Sequence, residues 1–116
     1  MEEGFVYILS NKNHTTTYIG VTNDIERRMV EHKSRLGSKF TIKYNLFELM
    51  YFEHFIKIVD AIDREKQLKN WHKEWKWNLV KEENPELEDL AADWFTEKEI
   101  EDFREESLND INSDRT

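Results

Sequence analysis

The chain has no cysteine, three glycines, one proline and no apolar run of membrane-spanning length. Each shortage excludes something. Without thiols there is neither a disulfide framework nor a zinc–thiolate site, so the fold must stand on packing. Seven Phe, four Trp and four Tyr in 116 residues supply large buried areas for what must be a small core. That length reads as one domain with an appendage. With no spanning segment and no basic leader after Met1-Glu2-Glu3, a soluble cytoplasmic protein is expected. Positive charge is also short overall, at a net of −8, which by itself disfavours a nucleic-acid partner. The distribution of charge points the other way. Residues 93–116 hold nine acidic and three basic side chains, a net of −6, while residues 27–81 hold thirteen basic and seven acidic, a net of +6. A polyanion meets the local field, so an acidic protein can still present a basic face.

What is present begins with two tyrosines eleven positions apart, Tyr7 in Phe5-Val6-Tyr7 and Tyr18 in Tyr18-Ile19-Gly20. Each sits in a short apolar run, and the polar cluster Asn11-Lys12-Asn13-His14 lies between them, which predicts a hairpin of strands over 5–9 and 16–21. Asn23 is the expected N-cap of a helix that runs to His32 or Lys33, with Glu26 completing a box-like arrangement. Ile25 and Met29 mark its apolar side, and Arg28 and His32 flank that side one turn apart. Residues 34–45 read as a basic loop. A third strand is expected over 46–52, with Phe47, Leu49 and Tyr51 on one face and Leu46, Glu48 and Met50 on the other.

From Ile58 the apolar period becomes helical, through Ala61, Ile62, Leu68, Trp71, His72, Trp75 and Leu79. Asn70 is the expected left-handed break between two helices, and Pro85 ends the second. Glu65 falls in the middle of the apolar stripe. A buried carboxylate is costly unless paired or metal-bound, so Glu65 is the clearest pattern violation in the chain. Beyond it, Leu87 and Leu90 should turn back onto the domain. Thr96 and Glu99 have capping-box spacing behind Trp94 and Phe95, which predicts a short, weakly docked acidic helix and then disorder.

The stretches Phe5-Val6-Tyr7-Ile8-Leu9, Tyr18-Ile19-Gly20-Val21-Thr22, Ile25-Glu26-Arg27-Arg28 with His32, and Arg64-Glu65-Lys66-Gln67-Leu68-Lys69 occur in a particular order. With Asn84-Pro85 and Leu90, the pattern resembles the GIY-YIG nuclease family, in its small stand-alone excinuclease-subunit-like (UPF0213-type) form. The resemblance covers about residues 5 to 92, and its one departure is Phe-Val-Tyr where the family has Gly-Ile-Tyr. It implies an α/β (α+β) fold, a three-stranded antiparallel sheet flanked by helices. The nuclease-like domain would be residues 1–92, with 93–116 an acidic appendage, partly helical and then disordered.

The resemblance also implies a chemistry: metal-dependent hydrolysis of DNA phosphodiester bonds, with branched or damaged DNA among the candidate substrates in repair or recombination. Glu65 would hold a divalent ion, Mg²⁺ or Mn²⁺, which prefers oxygen ligands and keeps several waters. Arg28 would contact the scissile phosphate, because the family spacing of arginine four residues before histidine or tyrosine selects Arg28 with His32 over Arg27. Tyr7 or Tyr18 would act with His32 as base or water-orienting group, and a phenol in that role needs nearby positive charge. Lys39, Lys43, Lys66 and Lys69 are candidates for positioning DNA phosphates. Gly20 and Asn84 carry less weight, Gly20 as a point of close approach near Tyr18 and Asn84 as completing the family site. Plain core roles are expected for Tyr44 and Tyr51, and no role is assigned to His14, His54 or His72. The alternative is a module on the same fold that holds nucleic acid or a protein without cutting.

Overall fold

Asn11 organises the first turn. Its carboxamide oxygen accepts from the amides of Thr15 and Thr16 and its nitrogen donates to the Thr15 hydroxyl, while His14 adopts a left-handed φ of 57°. The strands on either side, β1 (Gly4–Ser10) and β2 (Thr17–Thr22), pair antiparallel with Tyr7 opposite Gly20 and Leu9 opposite Tyr18. This computed structural model describes residues 2–114, and β3 (Glu48–Phe55) pairs with the other edge of β1 to give the order β2-β1-β3. The expected three-stranded antiparallel sheet with flanking helices is the architecture found.

Alternation along β1 divides the interior into two cores. Val6 and Ile8 face one way, with Ile19, Met50, Tyr51, Ala61, Leu68 and Val80. Tyr7 and Leu9 face the other, with Ile25, Met29, Leu46, Leu49 and Ala91. The first core lies under α3 (Ile58–Lys69) and α4 (Lys73–Glu83), the second under α1 (Ile25–Lys33). Each fully buried aliphatic side chain contributes about 1.5–3 kcal/mol by leaving water. Gly4 lets α3 sit close, since a Cβ there would lie 2.8 Å from the Ile58 Cα.

The third strand departs from the expected alternation. A bulge between Ile8 and Leu9 makes Tyr51 pair with Ile8 and Leu49 with Leu9, leaving Met50 as the extra residue. Met50 and Tyr51, neighbours in sequence, therefore enter the same core, while Leu49 enters the other. The strand also starts later, after the left-handed Asn45 (φ 57°), and it runs on to Phe55. Backbone groups exposed by the bulge are met by the segment after α4. Asn84 Nδ2 donates to the Met50 carbonyl (3.0 Å), Asp89 Oδ1 accepts from the Leu49 amide (3.0 Å), and the Leu90 amide donates to the Leu49 carbonyl (2.8 Å). Asp89 Oδ2 also takes the Lys33 ammonium at 2.6 Å, tying this segment to the end of α1.

Other boundaries differ from expectation for local reasons. Asp24, not Asn23, caps α1, accepting from the Arg27 amide at 3.1 Å. The basic loop contains a short helix, α2 (Lys39–Lys43), closed by a reciprocal capping box between Ser38 and Thr41. Asn70 ends α3 in a right-handed conformation (φ −86°), so no left-handed residue is needed there. The break resets the helical phase. Trp77 and Val80 of α4 then turn to the core and Trp75 is left exposed, where one continuous stripe would have buried it. Tyr51 is a core tyrosine as expected; Tyr44 is 40% exposed and is not.

The C-terminal helix α5 (Glu97–Asp114) is longer than the short one expected. Thr96 and Glu99 make the expected reciprocal cap. Trp94 and Phe95 pack on the second core beside Phe52, and Arg104 Nε donates to the Ser34 carbonyl at 2.9 Å, which seats α5 against α1. The disorder expected at the very end falls on Arg115 and Thr116, outside the described residues. Among the described residues no helix is long and apolar enough to cross a membrane.

Candidate active site

On the α1 side of the sheet, three of the expected residues form one chain of hydrogen bonds. Arg28 Nε donates to the Tyr7 hydroxyl at 3.3 Å, and that hydroxyl lies 3.0 Å from His32 Nε2. The register explains why they meet. Tyr7 stands opposite Gly20, where an added Cβ would lie 2.3 Å from the Tyr7 Oη, so the phenol lies across the glycine and reaches α1. Gly20 therefore makes room for the Tyr7 ring, where the sequence suggests a close approach of backbone or substrate near Tyr18. Tyr18, two positions along β2 and on the same face, has its ring centroid 6.3 Å from Tyr7 and 6.0 Å from His32.

Burial sets the protonation states. Tyr7 is 1% exposed, and burial pushes its pKa up to about 12 despite the opposing pull of Arg28. His32 is fully buried, and burial followed by the Arg28 charge pushes its pKa down to about 4. At neutral pH the pair is thus a neutral phenol and a neutral imidazole. The Tyr7 oxygen accepts from Arg28, and the phenol and Nε2 share a further hydrogen bond whose direction follows the imidazole tautomer. Nδ1 has no hydrogen-bond partner among the described residues, and it faces Gly37, where a Cβ would lie 2.4 Å away. At Tyr7 burial outweighs the pull of Arg28, so the charge of Arg28 by itself does not make a phenolate there.

Burial also works against the charge of Arg28, but the hydrogen bond to Tyr7 and the neighbouring Tyr7 and Glu31 more than offset it, and its pKa is raised. With Nε committed to Tyr7 and Nη1 only loosely paired with Glu31 (3.6 Å), the outer edge of the guanidinium remains available to an anion. Arg27 is exposed on the outer side of the same helix.

Glu65 is not part of this chain. Its side chain is 16% exposed and its carboxylate lies 3.4 Å from Lys69, one turn on along α3. Since α3 covers the face bearing Val6 and Ile8, Glu65 and Tyr7 approach the sheet from opposite sides. The edge strand β2 is contacted by α3 as well. Among the described residues no three His, Cys, Asp or Glu side chains cluster as a metal cage.

The remaining candidates divide clearly. Lys39, Lys43, Lys66 and Lys69 are all exposed, the first two on α2 and the others on α3. Asn84 is corrected to a structural part. Its nitrogen donates to the carbonyls of Met50 and Glu88 and its oxygen accepts from the Glu88 amide, so both amide hydrogens are spent on the backbone. Sequence reasoning misses Phe40, which lies 6.2 Å from Tyr18 and 4.8 Å from Tyr44 between ring centroids. The spacing of four residues between Phe40 and Tyr44, within a basic stretch, is the available signal.

Comparison with known proteins identifies the family. The family model of the GIY-YIG catalytic domain matches residues 3–78. A UPF0213 protein of Staphylococcus saprophyticus is 30% identical over 82 residues, covering 71% of this chain and 99% of the relative. A UPF0213 protein of Clostridium perfringens is 36% identical over 89 residues, covering 72% and 95%. The solution NMR structure of a UPF0213 protein from Bacillus halodurans shares 28% identity, covers 78% of this chain and 97% of its own, and has a TM-score of 0.49. The chain belongs to the GIY-YIG catalytic-domain family, whose domain is of nuclease type.

Proposed function

We propose that the protein is a metal-dependent endonuclease that hydrolyses DNA phosphodiester bonds, with branched or damaged DNA as the candidate substrates. The observation that carries this reading is the Arg28–Tyr7–His32 chain, which fixes a permanently charged fork beside a half-buried second tyrosine. In this reading the terminal amino groups of Arg28 bind the scissile phosphate and stabilise charge as it develops. Tyr7 and His32 are positioning residues, because a phenol 1% exposed with its pKa near 12 keeps its proton at neutral pH. Tyr18 is the phenol that solvent reaches, and it orients the attacking water. Lys39, Lys43, Lys66 and Lys69 position the flanking phosphates.

Glu65 would hold the cation. One carboxylate, paired among the described residues with the half-exposed Lys69, suits a hard ion that keeps most of its water and takes its other ligands from substrate phosphate. When bound, Mg²⁺ or Mn²⁺ supplies Lewis-acid neutralisation of the phosphate.

The second reading, a binding module that does not cut, is favoured by the opposed placement of Glu65 and Tyr7 across the sheet. Nicking of supercoiled plasmid and of a DNA junction with Mg²⁺ or Mn²⁺ separates the two. Metal-dependent cutting by wild type, lost in Glu65→Ala with junction binding retained, is the expected result. Equal cutting by the variant would remove Glu65 from the metal role, and a wild type that binds the junction without cutting it would establish the binding module.

A further inference from the structure

We propose that Tyr18, Phe40 and Tyr44 form a stacking platform for an unpaired DNA base beside the phosphate held by Arg28, a proposal that rests on the nuclease reading of the site. The first observation is a file of rings leading from the interior to the surface. Tyr7 is buried, Tyr18 is half-buried 6.3 Å from it, Phe40 lies 6.2 Å further on at an interplanar angle of 34°, and Tyr44 lies 4.8 Å beyond Phe40. The last two rings are 45% and 40% exposed. Phe40 and Tyr44 are one helical turn apart, so α2 and its cap present both on the side that meets Tyr18.

The second observation is charge. From His32 to Phe47 the chain has no Asp or Glu, although it carries 25 elsewhere. Within that stretch Lys33 is engaged by Asp89, and Arg35 lies over the Phe47 ring at 4.7 Å. Lys39 and Lys43 have no carboxylate partner among the described residues, and Lys43 Nζ lies 5.2 Å from the Tyr44 ring centroid. Exposed aromatic faces bordered by unpaired cations match a nucleotide, which joins a π-face to an anionic phosphate. An apolar protein helix would match the rings and leave the lysines without partners. A base paired within a duplex hides its faces in the stack, so the platform selects an unpaired one.

The test is equilibrium binding in EDTA, which separates it from any question of cutting. The probes are a single strand carrying 2-aminopurine and the duplex of the same sequence. Wild type should bind the single strand with a change in 2-aminopurine fluorescence. Phe40→Ala/Tyr44→Ala should bind it about tenfold more weakly or worse, while Phe40→Trp should retain the affinity and the fluorescence change. Thermal melting of each variant identifies any that has unfolded, and Phe40→Trp keeps the test decisive if the double variant does. Lys39→Gln/Lys43→Gln should weaken binding and flatten its salt dependence. Wild-type affinity in the double alanine variant would overturn the platform, as would a wild type that binds the strand with no change in the probe. If wild type binds neither DNA, the proposal fails. Single-strand binding that depends on the two rings, in a protein that cuts nothing with Mg²⁺ or Mn²⁺, would sustain the platform and defeat only the nuclease reading.

Discussion

The two faces of the sheet are built from alternate residues of the same strand and solve different problems. The face under α3 and α4 buries Val6, Ile8, Ile19, Met50, Ala61, Leu68 and Val80, and among its buried residues Tyr51 alone brings a hydroxyl. The face under α1 buries Tyr7 and His32 and admits the charge of Arg28 beside them. One residue of register separates the two environments, so a strand that alternates Val6, Tyr7, Ile8 serves stability and chemistry at once. The contrast also shows where each is vulnerable: the first face depends on volume, the second on hydrogen bonds and protonation.

The comparison is broken most severely by emptying the aliphatic side. Ile8→Ala should lower unfolding free energy by about 2–5 kcal/mol, measured by urea denaturation at neutral pH. A loss below about 1 kcal/mol would mean that this face is not the main store of stability.

A smaller and pH-dependent effect should mark the polar side. The folded pKa of His32, about 4, is below the ordinary 6.5, so the unfolded chain binds more protons between those values. Stability from this group is complete above about pH 6.5 and is lost as pH falls toward 4, by about 3 kcal/mol in all. His32→Gln should lack that component, and urea melts of both proteins at pH 7, 5.5 and 4.5 would reveal it as a narrowing difference. Parallel curves would dispose of the buried neutral histidine.

The smallest effect is expected from the charge on α5. Residues 97–116 hold eight acidic and three basic side chains, a net of −5. A chain ended after Thr96 keeps Trp94 and Phe95 in the core, and its DNA affinity should rise a few-fold at low salt and converge on the full chain at high salt. Equal affinity at low salt would show that the acidic helix does not reach the basic face.

The hairpin, the two tyrosines and the α1 pair are legible in the sequence because each depends on neighbours or on one cross-strand register. The α2 helix is not, since five residues are too few to display a period, although Ser38 and Thr41 hold its cap. Nor is the phase of β3, because the groups that stabilise its bulge, Asn84 and Asp89, lie 34 and 40 residues along the chain from their partners. Asn84 shows the same limit: its residue type suggests a ligand where its amide serves the backbone. The protonation of Tyr7 depends on how completely it is buried, which composition does not state.

The stitched bulge also bears on how much chain makes a self-sufficient folding unit. The family match ends at residue 78, yet Asn84, Asp89 and Leu90 satisfy the Leu49 and Met50 backbone, and Asp89 anchors the helix that carries Arg28. A polypeptide ended at residue 78 would leave those groups without partners, at about 1–3 kcal/mol for each one buried, and would free one end of α1. The smallest autonomous unit therefore extends past the end of the family-model match, to Ala91 at least.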